Sequence, residues 1–168
     1  IKKMIDEGAS NKDLWEKHFG TMMRYSTGVA KYRALKSKHR ERPLLEVEWI
    51  VGPAGTGKSS KAEEENPDAY WLNPPWWDGY DGEETVILDS FCRSSMKYYD
   101  LLSLLNSTLK YRYNFKGGGY GWLTCKKIVI TSVYTPEECY PRDYDERLKR
   151  RITKITDLTP KSPIVLKH

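Results

Sequence analysis

The sequence predicts an α/β fold: a central parallel sheet flanked by helices around a phosphate-binding loop, with a small helical segment at the N-terminus. Three observations carry this reading. Gly52-Pro53-Ala54-Gly55-Thr56-Gly57-Lys58-Ser59 is a complete G-x-x-x-x-G-K-S stretch between an apolar run and a helix-forming one. Beyond it, short apolar runs alternate with helical patterns. Ahead of it, the chain carries helical periodicity rather than strand alternation.

At the N-terminus, Ser10-Asn11-Lys12-Asp13 has capping-box spacing, with Asp in place of Glu, ahead of Leu14, Trp15 and Phe19. Met22, Tyr25, Val29, Tyr32 and Leu35 recur at steps of three and four, which predicts one apolar stripe on a helix. Gly28 within it costs about 1 kcal/mol relative to Ala. Short helices bury little surface alone, so the stripe is expected to pack on the next domain or on another copy. Arg42-Pro43 reads as the boundary, giving a helical segment over 1–43, either intrachain core or an oligomerisation segment, and the main domain over 44–168. Strands are expected at 47–51, 69–72, 85–88, 109–115 and 127–131, and an amphipathic helix at 97–107. In such a sheet the ligand lies beyond the carboxyl ends of the strands.

The loop residues have a definite chemistry. Gly52, Gly55 and Gly57 let backbone N–H groups turn inward, Pro53, Ala54 and Thr56 complete the loop, and a helix that starts near Lys58 and includes Ser60 turns its positive end to the same anion. Lys58 reaches the β/γ-phosphates of a nucleoside triphosphate, and the Ser59 hydroxyl ligates Mg²⁺. The run 85–88 ends in Asp89, about 30 residues after the loop, which would place a carboxylate at the metal. Ser90 follows it, so a water-activating base is not evident, and Glu83 and Glu84 read as solvated. The run 127–131 ends in the hydroxyls Thr131 and Ser132, candidates for touching the γ-phosphate or orienting water.

Between these lies a candidate polymer contact. Tyr111, Tyr113 and Phe115 alternate with Lys110, Arg112, Asn114 and Lys116, so a strand here has one aromatic and one basic face. It runs into Gly117-Gly118-Gly119-Tyr120, a glycine tip beside a cation; cations neutralise phosphates and rings stack on bases. A plain hairpin with an exposed tip is the alternative. Near the end, Arg142, Arg147, Arg150 and Arg151 lie in or beside a helix expected to open at Pro141, and each is either a surface charge or a finger toward a neighbouring copy.

The 168 residues carry a formal charge of +5, unevenly spread. Residues 1–42 hold 11 Lys+Arg against 5 Asp+Glu, while the remainder holds 17 against 18. The basic excess, chiefly between Lys31 and Arg42, can attract a polyanion or form a solvated helix face. No run approaches the ~20 apolar residues of a membrane helix, and no secretory leader is visible. Cys92, Cys125 and Cys139 lack C-x-x-C spacing and fit reduced thiols better than a disulfide frame. The first residue, Ile1, suggests a piece of a longer chain.

Taken together, Gly52–Ser59, Tyr70-Trp71-Leu72-Asn73, Trp76-Trp77-Asp78-Gly79-Tyr80-Asp81-Gly82-Glu83-Glu84, Val86-Ile87-Leu88-Asp89-Ser90-Phe91, Phe115-Lys116-Gly117-Gly118, Ile128–Ser132 and Arg150-Arg151-Ile152 resemble the superfamily-three helicase part of the replication initiators of circular single-stranded DNA viruses, circoviruses and their relatives. The resemblance spans about 48–155 and is most specific in the Trp76–Tyr80 block. It implies an AAA+-like fold, ATP with Mg²⁺, a homo-oligomeric ring (a hexamer) and 3′→5′ travel along single-stranded DNA in a host nucleus. By the same resemblance, Lys58 and Ser59 hold phosphates and metal, Asp89 is the metal acid, Lys116 lies on the DNA-gripping hairpin, and Arg150 or Arg151 is the finger. Lys110, Arg112, Gly117 and Tyr120 join Lys116 as DNA contacts on the aromatic and basic alternation alone. The family's nuclease would lie upstream, because its histidine metal motif is absent and the only histidines are His18, His39 and His168. Ser90 stands where a second acid is common, and Val133 where an asparagine sensor is common. Both departures favour nucleotide binding over fast hydrolysis. The other classes left open are a nucleotide-dependent assembly module with weak turnover and a monomeric phosphate-loop kinase.

Overall fold

A computed structural model describes residues 1–37 and 44–161. In chain order the elements are α1 (Lys2–Asp6), α2 (Asn11–Lys17), α3 (Phe19–Ser37), β1 (Glu46–Val51), α4 (Lys58–Glu65), β2 (Tyr70–Trp71) and β3 (Thr85–Leu88). There follow α5 (Tyr98–Leu104), β4 (Arg112–Asn114), β5 (Tyr120–Trp122), β6 (Lys127–Ser132), α6 (Pro136–Cys139), α7 (Glu146–Arg151) and β7 (Lys154–Asp157). Five strands form one parallel sheet in the order β2-β3-β6-β1-β7, and β4 pairs antiparallel with β5 as a separate hairpin.

The strands at the centre are apolar on both faces because both faces are covered. Val47, Trp49 and Val51 of β1, Val86 and Leu88 of β3, and Ile128 and Ile130 of β6 share the larger core with Leu101, Leu102 and Leu104 of α5. The alternate residues Ile50, Ile87 and Val129 meet Ala62 of α4 on the other face. Glu48 is the buried charge among the described residues of these strands, 1% exposed, and three partners satisfy it. Thr156 donates to it at 2.7 Å, while Lys154 and Lys127 lie at 3.0 and 3.3 Å.

Strand 85–88 falls where the sequence places it, and β1 and β6 each gain one residue. Three expectations are corrected. The strand expected at 109–115 pairs only over Arg112–Asn114, because the left-handed glycines Gly117–Gly119 turn the chain and β5 offers three partners. The helix expected at 97–107 ends at Leu104, where Asn106 instead accepts from the Thr108 amide in a local turn. No helix opens at Pro141. Thr135 caps α6 through the Glu138 amide and Asp145 caps α7 through the Arg147 amide, so the starts lie where a side-chain oxygen meets free N–H groups. The edge strand β7 escaped notice because Lys154-Ile155-Thr156-Asp157 is largely exposed and has no apolar run.

The helical segment has a small core of its own, Ile5, Leu14 and Met22, joined by Trp15, Val29 and Tyr32. The Ser10–Asp13 capping box forms as expected. The expected stripe is only partly used: α3 kinks at Tyr25 (φ −127°, ψ 16°), and Tyr25 and Leu35 are turned outward. The boundary at Arg42-Pro43 and the end of the basic stretch lie outside the described residues. Among the described residues no helix is long and apolar enough to cross a membrane. A β-carbon on Gly28 would meet nothing within 4 Å. Gly28→Ala is therefore expected to stabilise the chain by about 0.5–1 kcal/mol in urea unfolding, through helix propensity alone. A lower midpoint would mean that α3 needs the glycine for another reason.

Candidate functional site

The phosphate loop leaves the carboxyl end of β1 and enters α4, and its geometry demands its residues. A β-carbon on Gly52 would come within 2.9 Å of the Thr56 hydroxyl and 3.3 Å of Leu158 backbone, so nothing larger fits. Gly57 caps α4 at φ 80°, ψ 22°, a left-handed conformation that costs glycine little. Pro53, Ala54 and Gly55 are exposed at the tip, and Ser60 is exposed in the first turn of α4. The Lys58 ammonium donates to Pro53 O at 2.8 Å, and Thr56 Oγ1 donates to the same oxygen at 2.8 Å. The cation is thus held across the mouth of the loop.

Asp89, one residue beyond β3, is the hub of the site. Its Oδ1 accepts from Ser59 Oγ of α4 at 2.6 Å and from Thr131 Oγ1 of β6 at 2.6 Å, and its Oδ2 accepts from Ser90 Oγ at 3.2 Å. Burial works to raise its pKa, but the Ser59, Thr131 and Ser90 hydroxyls outweigh burial and hold the carboxyl below the usual carboxylate range. Ser90 is the one non-glycine among the described residues with positive φ, 52°, and its N–H donates to Thr131 Oγ1 at 2.9 Å. Left-handed backbone on such a residue is held by its surroundings. The serine after the acid therefore shapes the turn rather than supplying a base.

Of the two hydroxyls at the end of β6, Thr131 reaches the site and Ser132 does not. Successive strand side chains point to opposite faces. Ser132 is fully buried and donates to Phe91 O at 2.6 Å. Its expected place beside the phosphates is corrected accordingly. Val133 is exposed just beyond.

A hydroxyl and a carboxylate 2.6 Å apart at the loop suit a small hard cation that takes its remaining ligands from phosphates and water. Among the described residues no cluster of three or more His, Cys, Asp or Glu could hold a metal by itself.

The hairpin β4–β5 precedes β6 at the amino end of the sheet, opposite the phosphate loop: Lys126 and Lys127 N–H bond Glu84 O at the start of β3. Its two faces are as the alternation predicts. Tyr111, Tyr113 and Phe115 pack against the main core, and Lys110, Arg112, Asn114 and Lys116 are exposed. Because Trp77 and Tyr80 cover Tyr113, with centroids at 5.3 and 5.2 Å, that face is spent on the fold and is not open to stacking bases. Arg112 lies 5.1 Å over the partly buried Tyr120 ring. Gly117, Gly118 and Gly119 form the tip beside Lys116.

Arg150 and Arg151 end α7, just before Thr153 N–H bonds Val47 O at the start of β1. They therefore lie at the amino end of the sheet, away from their own phosphate loop. Arg147 is spent on Asp145, at 2.7 Å, and on the faces of Tyr98 and Tyr99. What sequence reasoning missed is the use of Asp78 and Asp81, which bind backbone and side chains of other elements; the Trp76–Asp81 block that flagged them gave no partners.

A phosphate loop, a carboxylate and a hydroxyl meeting at one end of a parallel sheet define a nucleotide-binding domain of the phosphate-loop class. Residues 48–134 match the family model described as RNA helicase, and the chain belongs to that family. It is 40% identical over 156 residues to the replication-associated protein of beak and feather disease virus, covering 90% of this chain and 52% of that protein. With the replication-associated protein of porcine circovirus 2 it shares 36% over 161 residues, covering 89% and 49%. The resemblance to circovirus replication initiators is thus borne out, and the chain spans about half the length of the curated relatives it matches. A solved JCV helicase covers 81% of the chain at 17% identity, with a TM-score of 0.45.

Proposed function

We propose that this domain is an ATP-driven motor that moves along single-stranded DNA during replication, working as a ring of identical copies with Mg²⁺ at Ser59 and Asp89. The single observation that carries the reading is the placement of β6. Its carboxyl end presents Thr131 to Asp89, and its amino end follows directly from the hairpin that exposes Lys110, Arg112 and Lys116. Strand β6 thus has the nucleotide site at one end and, a few residues before the other, the cationic hairpin. Bound Mg²⁺ would neutralise phosphate charge; Lys58 and the loop amides would orient the triphosphate. A neighbouring copy would supply Arg150 or Arg151, since neither faces its own loop. Phe19, Met23 and Tyr25, all more than 60% exposed on α3, offer apolar surface for the contact between copies. Family membership disfavours the kinase reading.

The test is ATP turnover measured with and without single-stranded DNA. Stimulation by DNA is expected, and Lys116→Ala is expected to remove most of it. Loss of one phosphate contact should lower the slope of log affinity against log salt by about 0.7 per site. An unaltered slope together with unaltered stimulation would remove the hairpin from the DNA contact. A second reading, a nucleotide-dependent assembly module with little turnover, is favoured by Ser90 serving the turn and by Val133 in place of a polar sensor. ATP-stabilised rings with very slow hydrolysis, unresponsive to DNA, would select it.

A further inference from the structure

The Trp76–Asp81 block is the most distinctive in the sequence, and the nucleotide site makes no use of it. In the structure it is a turn with two working sides. On one side, Asp78 Oδ1 accepts the Lys116 N–H at 3.0 Å, and the Trp77 N–H donates to Asn114 O at 3.1 Å. The Trp77 ring lies 5.3 Å from Tyr113 in the same hairpin and stacks on Tyr70 of β2 at 5.8 Å. On the other side, Asp81 accepts the Asn11 N–H at 2.7 Å and Arg33 Nη1 at 3.1 Å. Arg33 Nη2 in turn donates to Ala9 O at 2.6 Å, which ties α3 to the start of α2. Burial pushes the Asp81 carboxyl up while Asn11 and Arg33 pull it back. The turn therefore joins the helical segment to the hairpin.

We infer that this turn sets where the hairpin tip stands, with Asp78 as the positioning residue for strand binding and Asp81 anchoring the turn to the N-terminal helices. The inference rests on the hairpin being the DNA contact proposed above. Three consecutive glycines at φ 90°, 91° and 145° leave the tip little intrinsic preference for one shape. A carboxylate beside a phosphate-binding lysine opposes a polyanion, so its presence there calls for another role. Its bond to the amide of Lys116 itself supplies one: it fixes the residue whose charge would meet the strand. Asp78 does not touch DNA in this account.

The experiment is binding of a fluorescent oligothymidylate to the chain and to three variants, Lys116→Ala, Asp78→Ala and Asp78→Asn. A hydrogen bond to a charged acceptor predicts that Asp78→Ala weakens binding about tenfold. Asp78→Asn should recover it to within about twofold, since its carboxamide oxygen still accepts the Lys116 amide. Hydrogen exchange should find the Lys116 amide protected in the parent chain and fast in Asp78→Ala. Tighter or unchanged binding by Asp78→Ala, or an Asp78→Asn variant as weak as Asp78→Ala, overturns the inference. If Lys116→Ala alone loses binding, the hairpin contact stands and the positioning role falls. If the parent chain binds no strand, the DNA contact falls first and the inference with it. Should Asp78→Ala fail to fold, an unprotected Lys116 amide in the parent chain is itself enough to refute the role.

Discussion

Lys58→Ala is expected to weaken ATP binding about a hundredfold or more while leaving the domain folded. The size follows from what the ammonium would do, which is to meet the β/γ-phosphates with charge-assisted bonds worth about 1.5–3 kcal/mol. No other side chain of the loop carries a positive charge. The fold should tolerate the change because Lys58 is only partly buried and its hydrogen-bond acceptor, Pro53 O, retains the Thr56 hydroxyl. Alanine is also the best helix former at the first position of α4. The measurement is calorimetric titration with a non-hydrolysed ATP analogue, with circular dichroism to confirm the fold. Unchanged affinity would refute the assignment of the loop, whatever the family. A collapse of the circular dichroism signal would instead make Lys58 a loop brace.

How much of this was legible beforehand depended on how local the cause is. The strand at 85–88 and the loop at 52–59 were readable because an apolar run or a glycine spacing states its own structure. Asp89 was readable for the same reason: it ends a buried run. The choice between Thr131 and Ser132 was not, because it depends on which face of β6 lies toward α4, and Val129, two residues before Thr131, is what packs on Ala62 there. The hairpin's two faces were legible from alternation, but the fate of the aromatic one was not. Trp77 and Tyr80, distant in sequence, cover it. The start of the last helix was misread at Pro141 because proline marks only a permitted first turn, whereas Asp145 supplies the oxygen that the free amides need. The short edge strand β7 carried no pattern to read: a half-exposed edge has no reason to be apolar.

Asp89→Asn should lower Mg²⁺-dependent ATP turnover by about 10²–10³-fold with little loss of stability, on the proposed reading that its charge holds the cation. Asparagine keeps the shape and one carbonyl oxygen, so Ser59 and Thr131 can still donate as they do at 2.6 Å. The new amide group replaces Oδ2, and the Ser90 hydroxyl can turn from donating to accepting. Only the negative charge goes. The pH dependence reports the carboxylate's share of stability, and Mg²⁺-dependent turnover reports its part in the chemistry. Asp89 is held below its ordinary pKa, so its contribution to stability is present above the unfolded value and is lost as pH falls through the lower, folded one. The asparagine variant has no such group and should show a shallower loss of stability through the acid range. Turnover measured across Mg²⁺ concentrations, with acid unfolding of both proteins, gives the answer. Turnover that stays intact removes Asp89 from the metal. A variant that is much less stable at neutral pH, yet keeps its turnover and Mg²⁺ dependence while folded, would make the carboxylate a clasp between α4 and β6, with no part in the chemistry.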